Sequence, residues 1–354
     1  MAAVKNTRNN RFDPDEMPKL LSNLWKGLSH KNILAGINDD DCAIIKMGNQ
    51  EIIISTDFLN ANPIALEFNL GDFKDLGRVL VAANLSDLCG TGAKPVAFLS
   101  SIMLDKKTAS EEKFLQLMRG IKFELTKHGI PLVGGDTKLG NSNCLCGIAV
   151  GIKEKGTKLF IKNGAKPEDS IWVSGNIGSV GAAIDGLQNQ SMGKEWNSWA
   201  RNRIIKPSIP LNLSRVIAKT GIINSGTDLS DGLGADLISL CEASKVGAII
   251  FAEKIPISRR VKEIAIKNKI RPWFYAFTVG GDFQFIVTAD KRYDDAIRKL
   301  GLVKIGRITR KRKTFISTMD GIVHMPNIGH RDVNISSFHG EIEGMILQLK
   351  SLAK

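Results

Sequence analysis

Aspartates stand at the ends of predicted strands and the starts of predicted helices, in short segments that otherwise hold small or hydroxyl residues. The segments are GINDDDCAII, IIISTD, NLSDLCG, VGGDTKLG and TDLSDGL, and their aspartates are Asp39, Asp40, Asp41, Asp57, Asp87, Asp136, Asp228 and Asp231. Any one of them is typical of a helix cap or a turn. Together they favour a metal site, because gathered carboxylates repel one another unless a divalent cation lies between them. Mg²⁺ binds oxygen ligands and suits phosphate-bearing substrates, so the sequence predicts Mg²⁺-dependent chemistry on phosphates.

Glycine-rich segments support the same chemistry. Residues Gly134–Thr137, which we predict as a strand followed by a turn, would let the backbone approach a phosphate closely. Gly175, Gly178 and Gly181 form a turn entering a helix whose N-terminus could face an anion, although close packing explains the same spacing. Neither segment matches the G-x-G-x-x-G dinucleotide fingerprint or a G-K-[ST] phosphate loop. The histidines lie outside these motifs, so we expect ATP to be handled mainly by positioning and charge neutralisation.

The elements that must position these residues alternate between strands and helices. In the first half, QEIIISTDFL, AFLSSIML and CLCGIAVGIK predict strands, and apolar residues at helical spacing from Phe73 to Gly90 predict a helix. Ser110 is a good N-cap for a second helix that runs to about Lys127 and stops at Gly129. In the second half, DSIWVSG predicts a strand, GSVGAAIDGL and LNLSRVIAKTG predict helices, SGTDLSDGLGADLISLCEASKVGAIIF predicts a turn, a helix and a strand, and FTVGGDFQFIVTA predicts a turn and a strand. This mixture predicts an α+β protein of two lobes, with a boundary near residue 155.

The composition excludes several classes of protein. The chain has 354 residues, of which 43% are hydrophobic and 24% charged, as in ordinary globular proteins and unlike disordered, collagen-like or coiled-coil chains. No apolar run reaches the roughly 18–20 residues that a membrane-spanning helix needs. Residues 1–29 lack the apolar region of a secretory signal and are predicted to form a flexible basic arm. The five cysteines are few and odd in number, which favours a reducing, cytoplasmic environment.

The charge balance is basic, with 49 Lys and Arg against 36 Asp and Glu, which gives 49 − 36 = +13. Such a balance fits either nucleic acid or anionic small molecules such as nucleotides. The densest basic run is Arg307–Lys313, which we predict to be a solvated turn between two strands. Aromatic residues make up only 6% of the chain and none lies within that run. We therefore favour a small anionic ligand over nucleic acid.

The order of the motifs resembles one known family. The segments DDDCA, STD, NLSDLCGTGAKP, GGDT, KNGAKPEDSIWVSG, DLSDGL and VGGDFQF resemble those of thiamine-monophosphate kinases, over roughly residues 30–290. That family belongs to the superfamily of aminoimidazole ribotide synthetase. The resemblance implies a two-lobed α+β fold, in which residues 30–155 form an N-terminal α/β lobe that binds ATP and Mg²⁺ and closes a β-barrel with a second subunit. Residues 156–354 would form a C-terminal α+β lobe.

The same resemblance implies an activity and a set of site residues. The activity is phosphorylation of thiamine monophosphate to thiamine diphosphate by a homodimer, with ATP as co-substrate and several Mg²⁺ ions per subunit. The implied metal ligands are Asp41, Ser55, Thr56, Asp57, Asp87, Asp136, Asp228 and Asp231, and the implied ATP contacts are Gly135, Asp136, Lys162 and Ser230. Lys162 stands where the family usually has Arg, so the charge is kept and the planar fork is lost. No catalytic base is expected, because a phosphate acceptor is already largely dianionic at neutral pH.

The predicted acceptor pocket departs from the family pattern. The segment Val279–Phe285 reads VGGDFQF where the family reads GGEDYEL, so Gly281 replaces an acidic substrate contact. Ile64 lies where the family often has His, and Phe338 is the candidate for a C-terminal aromatic beside the thiazole. Two alternatives therefore stay open: a divergent member acting on another phosphorylated small molecule, and a non-catalytic paralogue that binds nucleotide or nucleic acid. The related hydrogenase-maturation and selenophosphate activities are disfavoured, because no Cys follows Cys241 and none precedes Cys42.

Overall fold

The computed structural model describes residues 17–25, 30–59, 64–188 and 193–325. The strands of the N-terminal lobe form one six-stranded sheet in the order β1-β2-β3-β6-β4-β5. Its strands are β1 (Ile33–Ala35), β2 (Ala43–Met47), β3 (Gln50–Leu59), β4 (Lys94–Asp105), β5 (Leu132–Gly140) and β6 (Cys144–Ile152). Its helices are α2 (Ile64–Glu67), α3 (Phe73–Thr91) and α4 (Glu111–His128), and helix α1 (Met17–Leu24) precedes the lobe in the chain. The sheet is antiparallel except where β4 and β5 run parallel.

The C-terminal lobe is built on a seven-stranded sheet in the order β13-β12-β9-β11-β7-β10-β8. Its strands are β7 (Ser170–Val173), β8 (Ile223–Asp228), β9 (Gly247–Phe251), β10 (Phe285–Ala289), β11 (Val303–Thr309), β12 (Thr314–Thr318) and β13 (Gly321–His324). Its helices are α5 (Ser179–Gln188), α6 (Lys194–Ile205), α7 (Leu211–Thr220), α8 (Leu233–Ala243), α9 (Arg259–Lys267), α10 (Tyr275–Thr278) and α11 (Asp294–Lys299). Short 3₁₀ turns connect some of these elements.

The first sheet has one covered and one open face. Along β6, Leu145, Gly147, Ala149 and Gly151 are buried, whereas the residues between them are half exposed. Helix α3 lies on the covered face, where a Cβ atom on Gly147 would meet its side chains. Because successive side chains of a strand point to opposite faces, this alternation decides which residues of the neighbouring strands face the helix.

Helix α3 is the element that joins the two lobes. Its N-terminus carries a reciprocal capping box, in which Asp72 accepts a hydrogen bond from the N–H of Asp75 at 3.0 Å and Asp75 accepts one from the N–H of Asp72 at 3.4 Å. Its C-cap Gly92 adopts φ +74°. Near its end, a Cβ atom on Gly90 would lie 2.5 Å from the backbone N of Asp228. Only glycine permits this approach of helix α3 to the end of β8.

Several sequence-based expectations are confirmed. The fold is α+β in two lobes, and the helices expected from Phe73 and after Ser110 are present, with Ser110 and Gly129 as the caps of α4. Strand β11 ends at Thr309 and β12 begins at Thr314, so the tip of the basic run is an exposed turn between two strands.

One predicted turn is wrong, and another begins later than predicted, because residues 229–232 alone connect β8 to α8. Gly134 to Thr137 lie inside strand β5, because their backbone pairs with β4 along its length. The segment Ser225–Asp228 is the end of strand β8, paired with β10. In both cases pairing with a strand distant in sequence overrides the local preference of glycine, serine and aspartate for turns.

Some expectations stay predictions. Within the described residues the first sheet is open, with β1 and β5 as its edges, so the barrel shared with a second subunit is untested. Helix α1 lies within the segment 1–29 that we predict to be an arm, and residues 1–16 and 26–29 lie outside the described residues. The predicted boundary near residue 155 falls between β6 and β7. Of the helices that the structure describes, none has the length and apolarity to span a membrane.

Candidate active site

Carboxylates from both lobes converge where α3 passes between the sheets. Asp87 lies on α3, Asp57 near the end of β3, Asp228 at the end of β8 and Asp41 just before β2. Asp87 and Asp228 are only 6% and 1% exposed. The cluster therefore joins residues that are far apart in the sequence, and two of its four carboxylates, Asp87 and Asp228, are shielded from bulk water.

Serine hydroxyls hold the two buried carboxylates of this cluster. Ser55, which faces the helix from β3, donates a hydrogen bond to Asp87. Ser86 on α3 donates to Asp228 Oδ2 at 2.5 Å, and Ser230 donates to Asp228 Oδ1 at 3.3 Å. Hydroxyl and carboxylate oxygens are thus presented together, which is the donor chemistry that hard cations bind.

The electrostatics of the cluster call for positive charge. Burial and the neighbouring carboxylates of Asp228 and Asp57 raise the pKa of Asp87 well above its usual range. Burial and the carboxylate of Asp41 raise the pKa of Asp228 to about 8, against the opposing effect of the Ser86 hydrogen bond. The carboxylates thus disfavour one another's charged forms, and a divalent cation would relieve this.

Lys162 supplies a positive charge from the other lobe. Its ammonium donates a hydrogen bond to Asp41 Oδ1, and its backbone N–H donates to Asp40 Oδ2 at 2.7 Å. Thr227 donates to the other oxygen of Asp41 at 2.8 Å. Burial alone would lower the pKa of Lys162, but the pairing with Asp41 raises it, so the lysine stays protonated at neutral pH. The loop that carries Lys162 is fixed from behind by Ser244, which donates to the Lys162 carbonyl at 2.7 Å.

Asn84 aligns β3 with α3. Its Oδ1 accepts a hydrogen bond from the N–H of Asp57 at 2.9 Å, and its Nδ2 donates to the Leu80 carbonyl at 2.9 Å. Asn84 and Asp87 are three residues apart, so they share one face of the helix. The amide thereby sets where β3 carries Ser55 and Asp57 past the helix.

The segment that follows β8 is ordered by another buried acid. Asp236, in the first turn of α8, accepts hydrogen bonds from the N–H groups of Asp231 at 3.2 Å and Gly232 at 3.0 Å. Burial and the nearby Asp231 carboxylate raise the pKa of Asp236 well above its usual range. This arrangement holds Ser230 and Asp231 beside Asp228.

The donor set suits Mg²⁺ shared with a phosphate better than a closed protein cage. Among residues 17–25, 30–59, 64–188 and 193–325, no three His, Cys, Asp or Glu side chains are arranged to hold a metal ion. Mg²⁺ is usually bound by one or two carboxylates together with water and substrate phosphates. Buried carboxylates with raised pKa values and adjoining hydroxyls fit that mode of binding.

Three predicted site residues lie apart from the cluster. Thr56 points to the open face of the first sheet, where its hydroxyl donates to the Gly147 carbonyl at 3.0 Å. Gly135 and Asp136 lie on edge strand β5, which β6 and β4 separate from β3. At about 4.8 Å per strand, β5 lies roughly 14 Å from β3. Asp136 is exposed and pairs with Lys138 at 3.1 Å.

The predicted acceptor residues are placed as follows. Ile64 begins α2 and is half-buried, and Gly281 precedes β10 in the left-handed region with φ +87°. Phe338 lies outside the described residues.

The spacing of Gly175, Gly178 and Gly181 predicted that the N-terminus of α5 could bind an anionic ligand, but a carboxylate of the protein itself binds there. Asp282 accepts a hydrogen bond there from the N–H of Gly178 at 2.6 Å, so that expectation is wrong.

Several residues that the sequence motifs do not single out also support the site. They are Asn84, Ser86, Thr227, Asp236 and Asp282, while Asp40 was noted only as part of the aspartate run. Helical spacing from Asp87 could have indicated Asn84, because the two residues stand three apart on one helix. No local signal marks Thr227 or Asp282, since their partners lie 186 and 104 residues away.

Comparison with known proteins gives a consistent result. Residues 39–152 match the family described as AIR synthase related protein, N-terminal domain, and residues 166–318 match its C-terminal domain. A thiamine-monophosphate kinase of Buchnera aphidicola subsp. Schizaphis graminum is 34% identical, covering 74% of this chain and 79% of that one. Its counterpart in Methanocaldococcus jannaschii is 30% identical, covering 83% and 93%. AaThiL complexed with AMPPCP and TMP shares the fold at 24% identity and a TM-score of 0.74, covering 87% of this chain and 96% of its own.

Proposed function

The chain belongs to the thiamine-monophosphate kinase family, and we propose that it transfers the γ-phosphoryl group of ATP to thiamine monophosphate. The observation that carries the proposal is the meeting of Asp41, Asp57, Asp87 and Asp228 across the two lobes. Such a cluster is suited to bringing two phosphate-bearing molecules together, because their mutual repulsion is the main obstacle to the reaction.

The site residues fall into proposed metal ligands and proposed contacts of the nucleotide. Asp41, Asp57, Asp87 and Asp228, together with Ser55, are the proposed ligands of Mg²⁺, and Asp231, Thr56 and Asp136 are further candidates. Bound Mg²⁺ supplies charge neutralisation for the phosphates of both substrates. Lys162 and Ser230 are the proposed contacts of the ATP phosphates, and Gly135 with Asp136 is a further proposed nucleotide contact.

No proton transfer by the protein is required in this proposal. A phosphate monoester has its second pKa near 6, so its oxygen is already a nucleophile at neutral pH. Asp87 and Asp228 are buried, and a site shielded from water in this way would favour transfer to the acceptor over hydrolysis of ATP. Asn84 and Asp236 would keep the strand and loop that carry the acidic groups in register.

One feature leaves a second acceptor open. Gly281 has φ +87°, a conformation that residues with a side chain rarely adopt, so this loop presents backbone where the family presents an acidic side chain. A different phosphorylated small molecule, lacking the group that the acidic residue would contact, is therefore the runner-up acceptor.

The test is a direct assay of both products. Purified protein with ATP, Mg²⁺ and thiamine monophosphate should yield ADP and thiamine diphosphate in equal amounts, and omission of Mg²⁺ should abolish both. A panel of other phosphate monoesters serves as the comparison. ADP release with another ester, without thiamine diphosphate from thiamine monophosphate, would replace the proposed acceptor by the runner-up. Absence of any nucleotide turnover would favour the non-catalytic alternative.

We also propose that the protein works as a homodimer. Edge strand β5 is exposed on both faces, with Val133 57% and Leu139 68% exposed, and Phe58 on the open face of the sheet is 64% exposed. An edge strand with exposed apolar side chains is a surface on which another chain can pair, and a two-fold axis would let each copy cover the edge strand of the other.

Light scattering at micromolar concentration should give twice the monomer mass. Val133→Glu should yield monomers, whereas Ile266→Glu, a change at a 76% exposed apolar residue on α9, should not.

A further inference from the structure

A carboxylate from the loop before β10 caps a helix more than a hundred residues away. Asp282 Oδ2 accepts hydrogen bonds from the N–H groups of Gly178 at 2.6 Å and Ser179 at 3.2 Å, and Oδ1 accepts from Ser179 at 3.1 Å. These groups belong to the N-terminus of α5, a helix of ten residues. The free N–H groups at a helix N-terminus bind negative charge well, so this contact is a strong tether between loop and helix.

The same loop packs on the segment that carries the proposed nucleotide contact. A Cβ atom on Gly280 would overlap the carbonyl group of Ser230 and come within 2.7 Å of the backbone N of Asp231. A Cβ atom on Gly232 would lie 3.5 Å from the backbone of Phe277 and Val279. The two segments thus lie backbone against backbone, and a shift of one must displace the other.

The helix that receives the tether is itself firmly held. Tyr275 on α10 donates a hydrogen bond to Asp185 on α5, and Asn268 donates to the same carboxylate at 2.5 Å. Beside the cap, Gly178 packs so closely on α10 that a Cβ atom there would lie 2.9 Å from the N of Ala276. The N-terminus of α5 is therefore a fixed point from which the loop can be positioned.

We propose that Asp282 is a positioning residue that pins residues 279–282 between α5 and Ser230, and so sets the proposed acceptor side of the site against its nucleotide side. Gly281, the proposed acceptor contact, is the residue before Asp282. Gly280 packs against the backbone of Ser230, so a shift of the loop moves Ser230 as well. This inference rests on the proposed function for its link to the acceptor. Its structural core, the coupling of α5 to the segment Asp228–Gly232, does not.

Kinetics would separate a positioning role from a merely structural one. Asp282→Ala removes all of the hydrogen bonds to α5, whereas Asp282→Asn keeps the shape and one acceptor oxygen. We expect Asp282→Ala to raise the KM of thiamine monophosphate about 10-fold or more, a change that corresponds to loss of a buried polar partner. Asp282→Asn should give a smaller rise. The KM of ATP should change less than that of the acceptor, because the lysine and aspartate contacts of ATP remain.

The matched control is Ser258→Ala. Ser258 caps α9 in the same lobe by accepting from the N–H of Val261 at 3.4 Å, and it has no part in the site. It should lower Tm, as loss of a helix cap does, without changing either KM. An equal rise of the acceptor KM in Ser258→Ala, or an unchanged acceptor KM in Asp282→Ala, would overturn the proposal.

A second measurement does not depend on the identity of the acceptor. Hydrogen exchange of backbone amides should accelerate in Asp282→Ala at residues 178–180 and also at residues 228–232, whereas in Ser258→Ala it should accelerate only around α9. Gly280→Ala, which pushes the loop off Ser230, should accelerate exchange at residues 228–232 while leaving 178–180 protected. If the wild-type protein makes no thiamine diphosphate, these patterns still decide the coupling. If residues 228–232 exchanged at the wild-type rate in both Asp282→Ala and Gly280→Ala, the coupling would be refuted.

Discussion

The ammonium of Lys162 and the carboxylate of Asp41 are hydrogen-bonded across the boundary between the two lobes. Asp41 belongs to the segment before β2, whereas Lys162 lies in the segment that connects β6 to β7. Ser244 donates a hydrogen bond to the Lys162 carbonyl, and Asp40 accepts one from the Lys162 N–H. The lysine therefore binds a carboxylate that we propose as a metal ligand. Its positive charge neutralises that carboxylate in this structure.

Replacing Lys162 should separate metal binding from nucleotide binding. In Lys162→Met, Asp41 loses its ammonium partner, so Mn²⁺ alone, titrated by calorimetry without nucleotide, should bind more tightly than to the wild type. The KM of ATP should rise about 10-fold or more, because a charge-assisted contact to phosphate is lost. Lys304→Met, which breaks the ion pair with Asp294 at 2.6 Å, is the control and should change neither quantity. Weaker Mn²⁺ binding in Lys162→Met would contradict the proposed competition.

Asp87 should matter for turnover far more than for folding. Asp87→Asn keeps the shape of a buried side chain whose charged form burial and neighbouring carboxylates disfavour, so Tm should be unchanged or higher. Turnover should fall at least about 100-fold, the scale on which loss of a key electrostatic group acts. The two quantities are read by calorimetry and by the thiamine diphosphate assay.

The control for that change lies on the same helix. Asp75 is also buried but serves the capping box and pairs with Arg201 at 3.3 Å. Asp75→Asn should therefore lower Tm with little effect on turnover. A near wild-type rate in folded Asp87→Asn would remove Asp87 from the mechanism.

Gly90 should be essential to the contact between the lobes. In Gly90→Ala the added Cβ would lie 2.5 Å from the backbone N of Asp228, so β8 must move away from α3. Overpacking of this kind typically costs about 1–3 kcal/mol, and here it also displaces Asp228 from Ser86. We expect a lower free energy of unfolding in urea titrations together with a loss of activity. Gly193→Ala, at a glycine where no atom of the described residues lies within 4 Å of the added Cβ, should be tolerated in both respects.

The cap of α5 should make stability depend on pH. Burial raises the pKa of Asp282 to about 7, although the N–H groups of α5 and the charge of Arg203 oppose the rise. In the unfolded chain the pKa is about 3.9. Between these values the folded protein holds a proton that the unfolded chain has released, so raising the pH through this interval lowers stability. The Tm of the wild type relative to Asp282→Asn should therefore decline from about pH 4 to pH 7 and level off above. A difference that is constant with pH would contradict this assignment.

The sequence alone determined the local elements and the kind of chemistry. The periodicity and caps of α3 and α4 depend on residues a few positions apart, which is why Phe73, Ser110 and Gly129 mark their ends correctly. Aspartates beside strand ends predicted a gathering of carboxylates, and the structure brings Asp87 and Asp228 together. The alternation of side chains along a strand follows from backbone geometry and is equally local.

The tertiary structure decided what long-range pairing controls. Ser86 and Asp228 are hydrogen-bonded although 142 residues separate them in the sequence, and Lys162 and Asp41 are separated by 121 residues. Sequence periodicity carries no information about contacts at such separations. Pairing with β4 made the Gly134–Asp136 segment part of a strand rather than a turn, and placed Asp136 away from Asp57 within one chain. Asp282 became a helix cap only because β10 brings its loop to α5. Such contacts form when burial of two distant surfaces outweighs the entropy of closing the chain between them, and local propensity carries no information about that balance.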